Sequence, residues 1–183
     1  MFYLGDDNLR AQACFERALL LRPDDEGALA GLGVAYGELG YWQEAVATFE
    51  RGVAVNPKDA AGRYNLGVAY ANTNRREDAI RAYQAALHVD PSMLDARLNL
   101  GLQYVELDRP REALTVFQEA SKRAPNDPEV QYELGVLYAI VGETDKAKQQ
   151  LDTLDELDTQ WASRLRGFLT QHQGGVQKPK DLH

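Results

Sequence analysis

Apolar residues along the chain recur at helical rather than strand spacing. From residue 26, Leu32, Gly33 and Tyr36 share one face of a 3.6-residue period, and Ala45, Phe49 and Gly52 share a face of a second helix further on. The pattern then returns in register, and prolines mark the return: Pro23, Pro57, Pro91 and Pro125 stand 34 residues apart. Three full units follow, 26–59, 60–93 and 94–127, each predicted to fold as helix, turn, helix. Positions 7, 8 and 11 read Leu32, Gly33, Tyr36, then Leu66, Gly67, Tyr70, then Leu100, Gly101, Tyr104. Positions 20, 24 and 27 read Ala45, Phe49, Gly52, then Ala79, Tyr83, Ala86, then Ala113, Phe117, Ala120. A degenerate fourth unit, 128–161, keeps Leu134, Gly135, Tyr138 and Ala147 but carries Leu151, Leu154 and Thr159 at the last signature positions.

Small residues at positions 8 and 20 let two helix backbones approach, with the tyrosine and the phenylalanine filling the space beside them. Position 15 is Gly40, Asn74, Asp108 and Gly142, residues that tolerate the left-handed conformation past a helix end. Asp25, Asp59, Ser92 and Asp127 stand where helix N-caps belong, and Pro128 suits a first helical position.

These residues resemble the tetratricopeptide repeat family, in phase over 1–161 and without insertions. The resemblance implies an all-α, right-handed superhelical solenoid of antiparallel helix pairs whose first helices line a concave groove. Position 4, often bulky and apolar in that family, is Leu29, Arg63, Arg97 and Gln131, which weakens that contact. Residues 1–25 read as a partial N-terminal unit, mainly its second helix over 7–21, so a fragment of a longer, bacterial-type array is expected. Residues 159–172 continue a helical pattern with Trp161, Leu165, Phe168 and Leu169 on one side and read as a capping helix, with a flexible tail over 173–183.

Composition narrows the function. The 183 residues carry 26% charged side chains and a net charge of -8, which opposes long-range attraction to nucleic acid. Arg75, Arg76, Arg81, Arg109 and Arg111 are interleaved with Glu77, Asp78 and Glu112 and read as a salt-laced surface. No apolar run reaches the roughly 20 residues of a membrane span. The single cysteine, Cys14, cannot close an intrachain disulfide and reads as a small buried or half-exposed hydrophobe, while His88, His172 and His183 read as surface residues. No nucleophile, base and orienting group assemble, and Gly31 and Gly33 follow the repeat rather than a phosphate loop. A noncatalytic chain with no cofactor and no metal is expected. Its compartment, cytoplasmic or periplasmic, stays open.

By the family resemblance, first-helix positions 2, 5, 6, 9, 12 and 13 face the groove. Position 6 carries Asn65 and Asn99, which resemble the asparagine ladder of peptide-binding arrays: a carboxamide both donates and accepts, so it can bond an extended backbone without reading its side chains. Hydrogen bonding between neighbouring helices is the other use open to the pair. Tyr64, Leu98 and Tyr132 stand at position 5 and Asn72 at position 13. Val34, Val68, Leu102 and Val136 at position 9 read as packing between first helices, and Gly27, Ala30 and Gly31 leave the first unit open to a ligand side chain or an upstream helix. Five acids, Glu38, Asp95, Glu106, Glu129 and Glu133, share these positions with no lysine or arginine. That favours a neutral or basic protein segment over an acidic C-terminal tail. The expected function is therefore partner capture by an adaptor or assembly scaffold. The alternatives are homo-oligomeric self-assembly, prompted by Phe2, Tyr3 and Phe15 on the orphan helix, and a targeting arm of a larger enzyme such as a glycosyltransferase.

Overall fold

Each helix begins and ends where the 34-residue pattern repeats. The computed structural model describes residues 3–172, and Phe2 and the expected tail over 173–183 lie outside them. Ten helices, and no strand, occur among the described residues. They are α1 (Tyr3–Leu21), α2 (Glu26–Glu38), α3 (Trp42–Val55), α4 (Ala60–Asn72), α5 (Arg76–Val89), α6 (Leu94–Glu106), α7 (Pro110–Arg123), α8 (Pro128–Ile140), α9 (Thr144–Leu157) and α10 (Thr159–His172). Helices pack in sequential pairs, α2 with α3, α4 with α5, and α8 with α9, while α10 packs against both α8 and α9.

Local chemistry sets the boundaries. The Asp25 carboxylate accepts from the Ala28 N–H at 2.9 Å, and Asp127 accepts from Glu129 and Val130 at 3.0 and 3.2 Å, with Pro128 in the first turn of α8. Asp59 occupies the N-cap of α4 without a capping side-chain bond. Ser92 is not a cap. Its N–H and hydroxyl both donate to Asp90 Oδ1, at 2.9 and 2.6 Å, because that carboxylate closes a turn over the loop before α6. The turns within pairs are uniform: Gly40, Asn74, Asp108 and Gly142 have φ of 76°, 61°, 58° and 86°. Past each one, the next N–H reaches back five residues to a tyrosine carbonyl: Tyr41 to Tyr36, Arg75 to Tyr70, Arg109 to Tyr104 and Glu143 to Tyr138, at 2.8–2.9 Å.

By internal contacts the chain divides into two compact units, Met1–Gln103 and Tyr104–His183. In the first, Ala45, Val46, Phe49, Leu66, Ala69 and Ala82 form a buried core flanked by Tyr36, Trp42, Val53 and Tyr70. Gly33 lies against the Phe49 ring and Gly67 against the Tyr83 ring. The opening at Gly31, left to a ligand side chain or an upstream helix, is covered by the ring of Phe15, and α1 and α2 meet there. Cys14 is exposed on α1, instead of buried or half-exposed. The second unit gathers Tyr132, Val136, Leu154, Ala162 and Leu165 into a core joined by Ile140, Leu151, Trp161, Phe168 and Leu169. Gly135 there meets Leu165 of α10, where Gly33 and Gly67 meet an aromatic ring of the following helix.

Two polar regularities tie the loops and pairs together. Arg63, Arg97 and Gln131 at position 4 donate to the carbonyls of Pro57, Pro91 and Pro125, six residues earlier, at 2.6–3.0 Å. The expected weakness at position 4 is thus answered by a hydrogen bond that holds the loop between pairs. Across pairs, Tyr36 and Tyr70 donate to Glu16 and Glu50 at 2.9 and 2.7 Å, and Gln118 donates to Tyr138 at 3.1 Å. In all three, the partners are 20 residues apart.

Candidate functional site

The first unit presents α2, α4 and the start of α6, and α4 and α6 are joined by a side-chain bond: Asn99 Nδ2 donates to the Tyr64 hydroxyl at 3.2 Å. Tyr64 is held from behind by Tyr83, ring centroids 5.9 Å apart. Burial and the nearby Asp95 carboxylate raise the Tyr64 pKa, while the bond from Asn99 lowers it. The phenol therefore keeps its proton at neutral pH and can donate it outward. Asn99 retains its carbonyl oxygen as an acceptor.

Asn65, one residue on, is half-buried, and among the described residues no side-chain hydrogen bond reaches it. Its donor and acceptor capacity is unspent. Asn72, at the exposed end of α4, donates back to the Val68 carbonyl at 2.9 Å, which ties one of its two N–H groups to its own helix. Leu98, Val68 and Leu102 are half-buried between these polar groups, and Val34 is 47% exposed, so the position-9 stripe is not closed packing at α2. Glu38 and Asp95 are exposed. The first unit thus sets a free carboxamide, a phenol and a half-used carboxamide beside apolar side chains and two solvated acids. Such a set can hydrogen-bond an extended main chain and attract a cation.

The second unit treats the equivalent residues differently. Glu106 and Glu129 are exposed, but Tyr132 and Glu133, expected on the open face, are buried. The cause is α10. Trp161 packs against Tyr132 with the rings tilted by 53° and 5.1 Å between centroids, and the Arg164 guanidinium lies over both rings, 4.8 Å from Tyr132 and 4.2 Å from Trp161. Burial pushes the Glu133 carboxyl up to about 7, helped by the Glu129 charge and opposed by Arg164. Neither side chain is open to a ligand while α10 is in place.

The basic cluster at the turns is engaged locally: Asp78 accepts from Arg75 at 2.6 Å and from Arg81, and Arg109 pairs with Glu112 at 2.7 Å. Arg75 and Arg109 also stack over Tyr70 and Tyr104. The position-4 bonds and the tyrosine links had been missed in the sequence, although a recurring Glu16, Glu50, Gln118 at position 25 was the signal for the second. No described helix is long and apolar enough to cross a membrane.

Two family models described as tetratricopeptide repeat match the chain, one over residues 2–51 and 31–92 and the other over 73–132 and 104–171. The chain belongs to the tetratricopeptide repeat family. No curated protein matches this repeat protein by sequence. Among solved structures, the crystal structure of MamA superposes with a TM-score of 0.79 at 22% identity, over 89% of this chain and 99% of MamA. YrrB, described as a tetratricopeptide repeat protein with an unusual peptide-binding site, gives 0.77 at 24% identity, over 88% and 84%. A thermophilic repeat protein of Thermus thermophilus, TTC0263, gives 0.61 at 26% identity, over 87% and 89%. These likenesses carry the fold: all-α, with helices packed in sequential pairs. Tetratricopeptide modules serve in general as protein-interaction scaffolds, and none of the matched models is a catalytic domain.

Proposed function

We propose that the array, in units 26–59, 60–93, 94–127 and 128–161 with a capping helix over 159–172, is a noncatalytic adaptor that captures a neutral or basic segment of a partner protein on its first helices. The observation that carries this reading is Asn65: a half-buried carboxamide with no side-chain hydrogen bond among the described residues, one residue from Tyr64 and on the helix face expected to carry the acids Glu38 and Asp95. Asn65 holds the partner's main chain through N–H and C=O, Asn99 accepts through its free oxygen, Tyr64 and Leu98 supply apolar contact, and the acids attract a lysine or arginine. The peptide-binding site named for YrrB supports this use of the fold.

Fluorescence anisotropy with peptides of equal length, one lysine-rich, one neutral and one acidic, tests it. The basic or neutral peptide should bind more tightly than the acidic one, and binding of the basic one should weaken with salt. Asn65→Ala with Asn99→Ala should cost about tenfold in Kd, the loss of one to two net hydrogen bonds. Equal affinity in wild type and double variant sinks the reading. Self-assembly is the second reading, favoured by Leu20 and Leu21 at the end of α1, which are 84% and 81% exposed. Light scattering that returns a monomer mass at every concentration excludes it.

A further inference from the structure

The joint where α10 meets α8 and α9 is built with polar atoms left over. Glu133 Oε2 and Gln150 Oε1 are both buried there without a hydrogen-bond partner. Glu133 is 9% exposed, and Gln150 stands at the point where α9 and Leu165 of α10 both close on Gly135. Two charges bear on Glu133: Glu129, four residues earlier on its own helix, and Arg164 on α10. From α7 and α9, which also pack on α8, no charged group does so among the described residues. Lys146 of α9 is paired with Glu143 at 2.5 Å and lies over Tyr138, and Arg166 of α10 is held by Asp155 at 2.8 Å. Arg164, the one cation in range among the described residues, is spent on the Tyr132 and Trp161 rings.

A carboxyl in this position is cheap to bury when protonated and expensive when ionised, since its Oε2 finds neither water nor a donor. Meanwhile the apolar side of α10, Trp161, Leu165, Phe168 and Leu169, covers Tyr132, Val136 and Ile140. These occupy positions 5, 9 and 13 of α8, equivalent to Tyr64, Val68 and Asn72 on the open α4. We propose that α10 is a proton-controlled strap over α8: it lies down when Glu133 is protonated and lifts when Glu133 is ionised, uncovering Tyr132, Val136 and Ile140. Lifting returns the carboxylate to water and releases Arg164 from the rings. The device needs no partner, so it stands or falls separately from the adaptor reading.

The direction with pH follows from linkage. The docked carboxyl titrates at about 7 against an ordinary 4.5. Docking is therefore unpenalised below about 4.5, weakens as pH rises through that interval, and is fully penalised above about 7. The interval caps the change in the opening equilibrium at roughly 300-fold, and a carboxyl only partly relieved by lifting gives about tenfold.

Hydrogen exchange of the full chain at pH 5.5 and pH 8, corrected for intrinsic rates, reads this directly. Protection of the α10 amides should fall by about tenfold at the higher pH while α4 keeps its own. Glu133→Gln, which holds the shape without the charge, should protect α10 equally at both values. Equal protection of wild-type α10 at both pH values overturns the proposal, as does a Glu133→Gln protein that keeps the wild-type pH dependence. Should Glu133→Gln unfold by circular dichroism, Glu129→Gln replaces it: removing that neighbouring charge should move the loss of protection to lower pH, measured as a titration, and an unmoved midpoint overturns the strap.

Discussion

At Gly33 and Gly67 the paired helices meet through a hydrogen atom. A Cβ at either would come within 2.5 Å of the Phe49 ring or 2.6 Å of the Tyr83 ring, and both rings are buried and cannot swing clear. Gly33→Ala and Gly67→Ala should each cost about 1–3 kcal/mol by overpacking, read as a lower urea midpoint at unchanged slope. Gly52→Ala is the opposite case. Its Cβ meets only Leu29 at 3.8 Å, and Ala86 and Ala120 already stand at the equivalent positions, so a gain of about 0.5–1 kcal/mol is expected from helix propensity. These glycines were legible in the sequence because their spacing repeats with that of the rings they face. Tyr132 and Glu133 were not. They share a register with Tyr64 and Asn65, and their burial is decided by Trp161 and Arg164, roughly thirty residues away and outside the repeating pattern.

Between helices, the four turns test backbone conformation alone. Gly142→Ala forces a Cβ into φ of 86° with open space around it, so its cost, about 1 kcal/mol in chemical denaturation, is conformational. Asn74→Gly, at φ of 61°, should be tolerated within about 0.5 kcal/mol. The left-handed turns were readable at Gly40, Asn74, Asp108 and Gly142 because only a few residue types suit them. Ser92 was misread because the place that Asp25, Asp59 and Asp127 fill before α2, α4 and α8 falls to Met93 before α6, one residue on, while Ser92 closes a turn with Asp90. The links between pairs make a further prediction. Tyr70 is held by Glu50, and burial followed by that bond pushes its phenol up to about 12. A proton bound more tightly in the folded state stabilises fully below the ordinary value of 10 and is lost as pH climbs toward about 12. Tyr83, buried behind Tyr64, is raised as well, so absorbance of the phenolate should show more than one tyrosine ionising late, and Tyr70→Phe should remove one tyrosine's amplitude from that late phase at a cost of about 0.5–1.5 kcal/mol.

Within each unit, the described contacts run mainly between neighbouring helices, so stability there is set by neighbours. Leu165 is fully buried against Gly135, and Leu165→Ala should cost about 2–5 kcal/mol. Residue-resolved hydrogen exchange should show that loss over α8, α9 and α10 and leave α2, α3 and α4 protected as before; a uniform loss would mean a single cooperative block. The tyrosine bonds add a point about how such arrays can be cut and rejoined. Glu50 lies on α3 and Tyr70 on α4, so their bond runs from the second helix of one pair to the first helix of the next. Exchanging repeats whole between two related proteins, with joins at the prolines, would assemble each such bond from unrelated parents, a tyrosine from one and its acceptor from the other. Joins at the left-handed turns keep both ends together, since Glu50 and Tyr70 both fall between Gly40 and Asn74. For this bond the inheritable module is therefore out of step with the repeat seen in the sequence, and shuffled libraries spliced at the turns should keep it in every member, whereas those spliced at the prolines keep it only where the two parents happen to match.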